Sequence, residues 1–195
     1  MTEVAIDRPS HFEIHPLTPE RWDDFEQLFG ARGACGGCWC MWWRLPNKAF
    51  QAGKGEGNRR AMRALVEGGV VPGLLAFDAG RPVGWCAVAP RAEHCRLARS
   101  RILAPVDELA VWSVVCFFVD RARRRRGVSR QLLEAAVEHV RVCNGKVVEA
   151  YPVEPKKERM PDVFAYHGTL SLYLACGFQE VMRRSPTRPI VRRVV

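Results

Sequence analysis

The sequence predicts a single α/β domain, of the α+β type, in which helices pack on a mixed β-sheet. Segments of strand and helix character alternate along all 195 residues, with no internal repeat and no linker between them. One of these segments is apolar at almost every position, which is typical of a central strand buried on both faces. The composition agrees with a globular protein, because 48% of the residues are hydrophobic and 26% are charged.

The first predicted elements are a strand and two helices. Residues 12–17 alternate between apolar and polar side chains, which predicts a short strand. Thr18 as a capping residue and Pro19 at the first helical position predict a helix directly after it. A second helix is predicted over residues 58–68. The apolar stripe of the first helix consists of Trp22, Phe25, Leu28 and Phe29.

The middle of the chain predicts a β-hairpin and the central strand. Residues 73–78 and 82–89 are strand-like, and the turn between them, centred on Ala79 and Gly80, is typical of a hairpin. Residues 108–119 form the continuously apolar segment and predict the central strand. The polar connection between hairpin and central strand has no pattern that predicts its structure.

The rest of the chain predicts a long helix followed by shorter elements. An amphipathic helix is predicted over residues 124–142, and Asn144 with Gly145 is expected to end it. The remaining predicted elements are a strand over residues 146–153, a helix over 169–176 and strands over 178–183 and 189–194. The last of these strands is expected to be an edge of the sheet, where it could pair with a second subunit in a homodimer.

The net charge of +9 predicts an anionic partner or a solvated basic surface. Five arginines fall within six positions, at Arg121 and residues 123–126, directly before Gly127. A second basic group alternates with apolar residues near the C-terminus, which predicts a solvated strand face. This second group consists of Arg183, Arg184, Arg188, Arg192 and Arg193. Because the first cluster is compact and no helix carries a basic stripe, the sequence favours a small polyphosphate ligand over nucleic acid.

The first arginine cluster lies between the predicted central strand and the long helix. Unpaired amides at a helix N-terminus, together with the helix dipole, favour a negative charge. Gly127 lets the backbone approach a phosphate closely, and arginine side chains add charge-assisted hydrogen bonds. This combination predicts a binding site for a pyrophosphate group.

Two motifs resemble those of a known family. Residues 124–129, with the sequence RRRGVS, resemble the pyrophosphate-binding motif R/Q-x-x-G-x-G/A of the GNAT (N-acetyltransferase) superfamily. Residues 173–178, with the sequence YLACGF, resemble the Y-x-x-x-G-F element of the same family. The resemblance implies a GNAT fold, a central mixed, mostly antiparallel twisted sheet of six to seven strands flanked by about four helices. We expect one domain over residues 1–195, with an insertion rich in cysteine and tryptophan at about 31–57.

The resemblance also implies a function, the transfer of an acetyl (acyl) group from acetyl-CoA to an amine acceptor by direct attack. Tyr173 is implied as the general acid that protonates the departing thiolate. A backbone N–H at the end of the central strand is implied to polarise the thioester carbonyl. The residues implied to bind acetyl-CoA are Phe117, Phe118, Val119, Arg124, Arg125, Arg126, Gly127, Val128, Ser129 and Arg130.

The general base and the acceptor stay open at this level. Family members often carry an asparagine on or just after the fifth strand to bind pantetheine, but residues 148–154 contain none. The acceptor could be a small amine, an aminoglycoside-like antibiotic, an amino acid or a protein N-terminus. The candidate bases are Glu108, Glu149, His167, Asp107 and a water molecule.

The segment of residues 35–44 is rich in cysteine and tryptophan. In a GNAT fold it would form part of the acceptor wall, where tryptophans could stack on a cationic amine. The alternatives are a tryptophan plug over the core and a zinc site, which would need a fourth ligand beyond three cysteines. No metal is expected, because no second pair of ligands follows in the sequence. The zinc site would use Cys35, Cys38 and Cys40, completed by His94 or Cys95. The candidate substrate contacts are Trp39, Trp42, Trp43 and Glu149.

The eight cysteines occur without a secretory signal, which predicts reduced thiols and a cytoplasmic protein. No apolar run reaches the ~20 residues that a membrane-spanning helix needs. Two rival functions are a nucleic-acid-binding protein that uses the basic surface and a GNAT-like sensor module that binds CoA without catalysis.

Overall fold

The computed structural model describes residues 11–154 and 166–195. Within these ranges the chain forms a seven-stranded sheet with helices packed on both faces. The strands are β1 (Glu13–Pro16), β2 (Gly73–Asp78), β3 (Arg81–Pro90), β4 (Trp112–Val119), β5 (Val147–Ala150), β6 (Gln179–Arg183) and β7 (Pro189–Val194). The helices are α1 (Trp22–Phe29), α2 (Asn47–Ala52), α3 (Glu56–Glu67), α4 (Cys95–Ala98), α5 (Val128–Val142) and α6 (Leu170–Ala175). The predicted α/β fold is confirmed.

The strand order is β1-β2-β3-β4-β5-β7-β6, and the sheet is mostly antiparallel. Strands β4 and β5 pair in parallel, which requires a crossover, and α5 supplies it. Their pairing covers Trp112, Ser113 and Val114 on β4, opposite Val148, Glu149 and Ala150 on β5. Beyond Val114 the outer half of β4 has no pairing with β5, and this separation creates the candidate site described below.

Each face of the sheet has its own apolar core. One core contains the inward face of α5, including Leu132, Ala136 and Val140, and also Tyr173 of α6. The other core packs α1 and α3 against the opposite face of the sheet. The middle of β4 is therefore buried on both faces, as its apolar sequence predicts.

Two predicted boundaries differ from the structure. Strand β4 begins at Trp112, not at residue 108, and Leu109 is 59% exposed. The Asp107 carboxylate accepts a hydrogen bond from the Leu109 amide in that loop, at 3.1 Å. Helix α5 begins at Val128, not at residue 124, because Gly127 takes the left-handed conformation with φ 82°. The apolar residues before Trp112 made the predicted strand too long, and the arginines before Gly127 made the predicted helix too long.

The prediction that the last strand forms an edge of the sheet is wrong. Strand β7 lies between β5 and β6, so both of its sides are paired. The edge on this side of the sheet is formed by β6, which follows α6 in the chain. Strand β7 therefore has no free edge with which to pair with a second subunit.

Several smaller features complete the comparison. The Thr18 side chain makes no capping hydrogen bond, because a 3₁₀ turn over Pro19–Arg21 precedes α1. The connection without a predicted structure contains a 3₁₀ turn over Arg91–Glu93 and the short helix α4. Within the described ranges, no helix is long and apolar enough to cross a membrane. The polar start of the chain, on which the cytoplasmic prediction partly depends, lies outside those ranges.

Candidate functional site

The turn between β4 and α5 is built to present backbone amides. Asp120 accepts a hydrogen bond from the Ala122 amide at 3.2 Å and starts a 3₁₀ turn. Arg125, with φ 63°, and Gly127, with φ 82°, then reverse the chain into the first turn of α5. No described atom lies within 4 Å of the place that a Gly127 Cβ would take. Glycine is therefore needed here for its backbone conformation, and the space beside it is open.

The arginines of this turn differ in what they bind. Arg123 forms an ion pair with Asp78, with 2.6 Å between Nε and Oδ2, and Arg124 Nε donates to the Val119 carbonyl at 3.2 Å. Arg125, Arg126 and Arg130 have exposed side chains at the N-terminus of α5. Because the first amides of a helix have no intrahelical acceptor, this end of α5 carries a positive field that the arginines reinforce.

A groove of about 750 Å³ opens beside the turn. Arg126, Gly127 and Arg130 lie on one side of it, and residues 11–15 around β1 lie on the other. Three of the predicted phosphate-binding residues, Arg126, Gly127 and Arg130, thus line open space, which Glu13 and Glu134 also line. The two arginines and the helix N-terminus favour an anionic group on their side of the groove.

The outer half of β4 is paired with a segment from later in the chain. Residues 166–169, here called the bridging segment, lie between β4 and the chain that follows β5. The Phe117 amide donates to the Tyr166 carbonyl at 2.6 Å, and the Val153 amide donates to the Gly168 carbonyl at 2.9 Å. Val153 and Thr169 also form an isolated parallel bridge. The bridging segment therefore fills the gap that opens where β4 and β5 separate.

Tyr173 contacts the same segment. Its side chain is fully buried, and its hydroxyl donates to the His167 carbonyl at 2.9 Å. Burial raises the pKa of Tyr173 well above its ordinary value, so the phenol keeps its proton at neutral pH. Gly168, with φ 77°, lets the segment lie against this ring, because a Cβ there would be 3.0 Å from Tyr173 Cε2.

The three tryptophans of the Cys/Trp segment have three different environments. Trp39 is 4% exposed and stacks on Phe29 with 5.8 Å between ring centroids, so it belongs to the core, contrary to the prediction of a substrate contact. Trp42 is partly exposed, and the Arg96 guanidinium lies 3.7 Å from its ring centroid. Trp43 packs against His167 of the bridging segment at 5.4 Å. Of the three, Trp43 therefore reaches the gap beside β4.

Glu149 has no exposed surface and is held by two arginines. Arg91 Nη1 donates to Oε1 at 2.8 Å, and Arg192 Nε donates to Oε2 at 2.8 Å. The Tyr151 hydroxyl donates to Oε1 at 2.6 Å. A carboxylate with all of these partners anchors β5 to its neighbours and is not available to a substrate, contrary to the prediction.

The other candidate bases differ in availability. Asp107 accepts two hydrogen bonds from Arg192, and that contact lowers the pKa of Asp107. Glu108 is exposed in the loop before β4. His167 is 1% exposed, and its Nδ1 atom is buried without a hydrogen-bond partner. Burial, and then the charge of Arg188, lower the pKa of His167 well below its ordinary value, so the imidazole is neutral at pH 7.

The cysteines are all free thiols. Cys40 is buried, and its sulfur accepts a hydrogen bond from Trp85 Nε1 at 3.2 Å. Cys38 donates to the Gly33 carbonyl at 3.5 Å. Among the described residues, no group of three or more histidine, cysteine, aspartate or glutamate side chains is arranged to hold a metal ion.

Comparison with known families is decisive for the class of protein. Residues 72–180, more than half of the chain, match the family described as Acetyltransferase (GNAT) domain. The chain belongs to the GNAT acetyltransferase family. The match spans β2 to the start of β6 and thus includes both the α5 turn and Tyr173 of this GNAT domain. No curated protein sequence matches the chain.

Solved structures agree in fold. A GNAT acetyltransferase from Listeria monocytogenes 4b F2365 superposes with a TM-score of 0.55 at 12% identity, over 94% of this chain and 95% of that chain. The PaiA N-acetyltransferase from Thermoplasma acidophilum, solved in complex with coenzyme A, gives 0.53 at 12% identity, over 95% and 99%. A chain of the NatC complex bound to Gag peptide and CoA gives 0.54 at 11% identity, over 95% and 99%. At these identities the similarity supports the GNAT fold alone.

The structure brings three of the predicted residues, Phe117, Tyr173 and Trp43, into contact with the bridging segment. The turn of residues 124–130 follows β4, and the roles of all these residues stay predictions. The prediction did not single out Tyr166, whose carbonyl accepts from Phe117, or Arg188, whose charge acts on His167. The only local signal for the bridging segment is Gly168 before the helix cap Thr169, which predicts a turn but not its neighbours.

Proposed function

We propose that this GNAT domain transfers an acetyl group from acetyl-CoA to an amine. The observation that carries the proposal is the position of an open, arginine-rich helix N-terminus directly after β4, whose outer half is unpaired with β5. Acetyl-CoA supplies the acyl group as an activated thioester. In the reaction the amine nitrogen forms a bond to the acyl carbon, the C–S bond breaks, and the sulfur leaves as a thiolate.

The chain's residues divide this work between them. The amides and side chains of residues 124–130 hold the pyrophosphate at the N-terminus of α5. The backbone of Phe117, Phe118 and Val119 binds the pantetheine arm, and one N–H of that strand donates to the thioester oxygen as charge develops on it. Tyr173 protonates the leaving thiolate, since its phenol carries a proton at neutral pH; burial raises its pKa and makes it a weaker acid until the bound group displaces the bridging segment.

The bridging segment must give up two hydrogen bonds for this to happen. The Phe117 N–H and the Tyr173 O–H both donate to its carbonyls, at Tyr166 and His167. Each exchange costs about 0.5–1.5 kcal/mol if it is not compensated, which the new hydrogen bonds to the bound group can offset. Both donors are therefore occupied by main-chain carbonyls in the structure, and binding of acetyl-CoA must displace those carbonyls.

Of the candidate bases, His167 is favoured by its environment. It is neutral at pH 7 and its Nδ1 atom has no partner, whereas Glu149 and Asp107 are held by arginines. The lowered pKa makes this imidazole a weak base, so a water molecule stays an equal candidate.

A module that binds CoA without catalysis is the second candidate. The observation that favours it is the complete burial of Tyr173, whose hydroxyl is bound to a main-chain carbonyl. Turnover separates the two candidates, because a sensor binds acetyl-CoA but does not consume it in the presence of amines.

The test is isothermal titration calorimetry with acetyl-CoA on the wild type and on a double variant, Arg125→Glu with Arg126→Glu. Loss of two charge-assisted contacts should weaken binding on the order of 100-fold. The matched control is Arg60→Glu with Arg99→Glu, which changes the same charge at exposed positions away from the turn. Equal weakening in both double variants would mean that net charge, not this turn, attracts the ligand. No binding by the wild type would overturn the proposal.

A further inference from the structure

Arg188 is half-buried in the turn before β7 and has no carboxylate partner among the described residues. Its Nη1 donates a long hydrogen bond to the Tyr151 carbonyl, at 3.5 Å. In the described ranges of the chain, no carboxylate is within ion-pair distance of it. The neighbouring arginines of the tail differ, because Arg183, Arg192 and Arg193 each pair with an acid. Burying a guanidinium without a counter-ion costs free energy, so an anionic ligand beside Arg188 would stabilise the protein.

Two polar atoms that have no hydrogen-bond partner within the described ranges lie near the turn that holds Arg188. That turn runs beside the bridging segment, because the Glu154 amide donates to the Thr187 carbonyl at 3.1 Å and the adjacent Val153 amide donates to the Gly168 carbonyl at 2.9 Å. The charge of Arg188 accordingly lowers the pKa of His167. Trp43 packs on His167 with 5.4 Å between ring centroids. The indole Nε1 of Trp43 and the Nδ1 of His167 are both buried, and neither has a hydrogen-bond partner in the part of the chain that the structure describes. Buried polar atoms are nearly always hydrogen-bonded, so two orphaned atoms beside an uncompensated cation point to a ligand group.

The chemistry of these groups selects the ligand. A guanidinium offers a planar fork of donors that matches a carboxylate, and an indole N–H can only donate. A cationic group would be repelled by the charge of Arg188, because no described carboxylate pairs with that guanidinium. The same bridging segment also contacts the Phe117 amide and the Tyr173 hydroxyl, which are the groups assigned to the acyl-transfer step.

We propose that the amine acceptor also bears a carboxylate, as an amino acid does, and that Arg188 and the Trp43 indole N–H bind that carboxylate. The inference rests on the proposed acetyl transfer and names the substrate class for it. The carboxylate neutralises Arg188, and the amino group of the same molecule then lies on the side of the bridging segment, near His167.

The experiment uses the full chain with acetyl-CoA and a panel of amino acids, each paired with its carboxamide and its decarboxylated amine. Acetylated products are measured by mass spectrometry, since the thiols of the protein would react with a thiol-detecting reagent. At least one amino acid should be acetylated with a kcat/KM about tenfold or more above that of its amide and its amine.

Variants assign the carboxylate to Arg188. Arg188→Gln should raise KM for the amino acid about tenfold to 100-fold, with little change in kcat and in the KM of the decarboxylated amine. Arg188→Lys, which keeps the charge but not the fork, should recover part of this loss. Trp43→Phe should give a smaller rise in KM. Arg60→Gln is the charge-matched control and should leave all of these values unchanged.

Each outcome has a definite meaning. Equal or better use of the amide and the amine would overturn the inference, as would equal KM values in Arg188→Gln and Arg60→Gln. Acetyl-CoA binding at the α5 turn with acetylation of amines but of no amino acid would also overturn it, while the proposed function would stand. Absence of acetyl-CoA binding would remove the proposed function itself. If Arg188→Gln does not fold, the wild-type comparison of acid, amide and amine decides alone.

Discussion

The arginines of the α5 turn and those around Glu149 are chemically the same residues in opposite situations. At the turn, Arg125, Arg126 and Arg130 are exposed, and Arg126 and Arg130 line an open groove. Around Glu149, Arg91 and Arg192 are bound to a carboxylate that has no exposed surface. The first set is free to bind an anion, whereas the second set has its anion inside the protein. Net charge alone therefore does not identify a ligand site.

Arg188 lies between these two situations. It is withdrawn from solvent as the Glu149 arginines are, but like the arginines of the turn it lacks an acid partner in the part of the chain that the structure describes. The comparison teaches that the state of each arginine follows from its carboxylate neighbours. Three changes probe the two regions, one at the Glu149 carboxylate, one at His94 beside it and one at Gly127 of the turn.

The largest effect is expected from Glu149→Gln. Removing the Glu149 charge leaves Arg91 without its acid partner among the described residues, whereas Arg192 keeps Asp107, and we expect the free energy of unfolding to fall by about 3 kcal/mol. Urea denaturation followed by circular dichroism measures it. The control is Glu138→Gln, which breaks an exposed pair with Arg141 and should cost less than about 0.5 kcal/mol. Similar values for the two variants would show that burial does not distinguish these pairs.

A smaller effect is expected from pH, through His94 beside the Glu149 network. Burial, and then Arg44 and Arg91, lower the pKa of His94 to about 3. In the unfolded chain His94 binds a proton with its ordinary pKa of about 6.5. The stabilisation that comes from keeping His94 neutral is therefore fully present above about pH 6.5 and is lost as the pH falls toward 3. Between pH 6.5 and 5 the wild type should lose about 1.5 kcal/mol more unfolding free energy than His94→Gln does.

The measurement is urea denaturation at a series of pH values. His15→Gln, at a partly exposed position, serves as the control and should follow the wild type. If His94→Gln has the same pH dependence as the wild type, the imidazole is not held neutral in the folded protein.

The smallest effect is expected at the turn itself, from Gly127→Ala. Its φ of 82° is costly for alanine, so we expect a loss of about 1 kcal/mol, although no described atom would touch the new Cβ. Gly57→Ala is the matched control, since its Cβ also meets no described atom, but Gly57 lies inside α3. That change should stabilise the protein by about 0.5–1 kcal/mol. Thermal unfolding of both variants tests the opposite signs, and stabilisation by Gly127→Ala would contradict the left-handed geometry.

Much of the fold could be predicted because its signals are local. The alternation in β1, the hairpin of β2 and β3 and the four-residue period of α5 each depend on neighbours within a few positions. Boundaries were less certain where local signals conflicted, as at Leu109, which is apolar but exposed. The cytoplasmic location stays a prediction, as do the roles of Tyr173 and the turn.

The sequence by itself determined the order of strands and helices, the arginine–glycine turn and the family to which the chain belongs. Only the tertiary structure decided that Glu149 is sequestered by Arg91 and Arg192, that Trp39 is a core residue whereas Trp43 contacts His167, and that β7 is interior. The physical reason is distance along the chain. Periodicity and capping act over one or two turns, whereas the pairing of a charge depends on packing between residues such as Arg91 and Glu149, which are 58 positions apart.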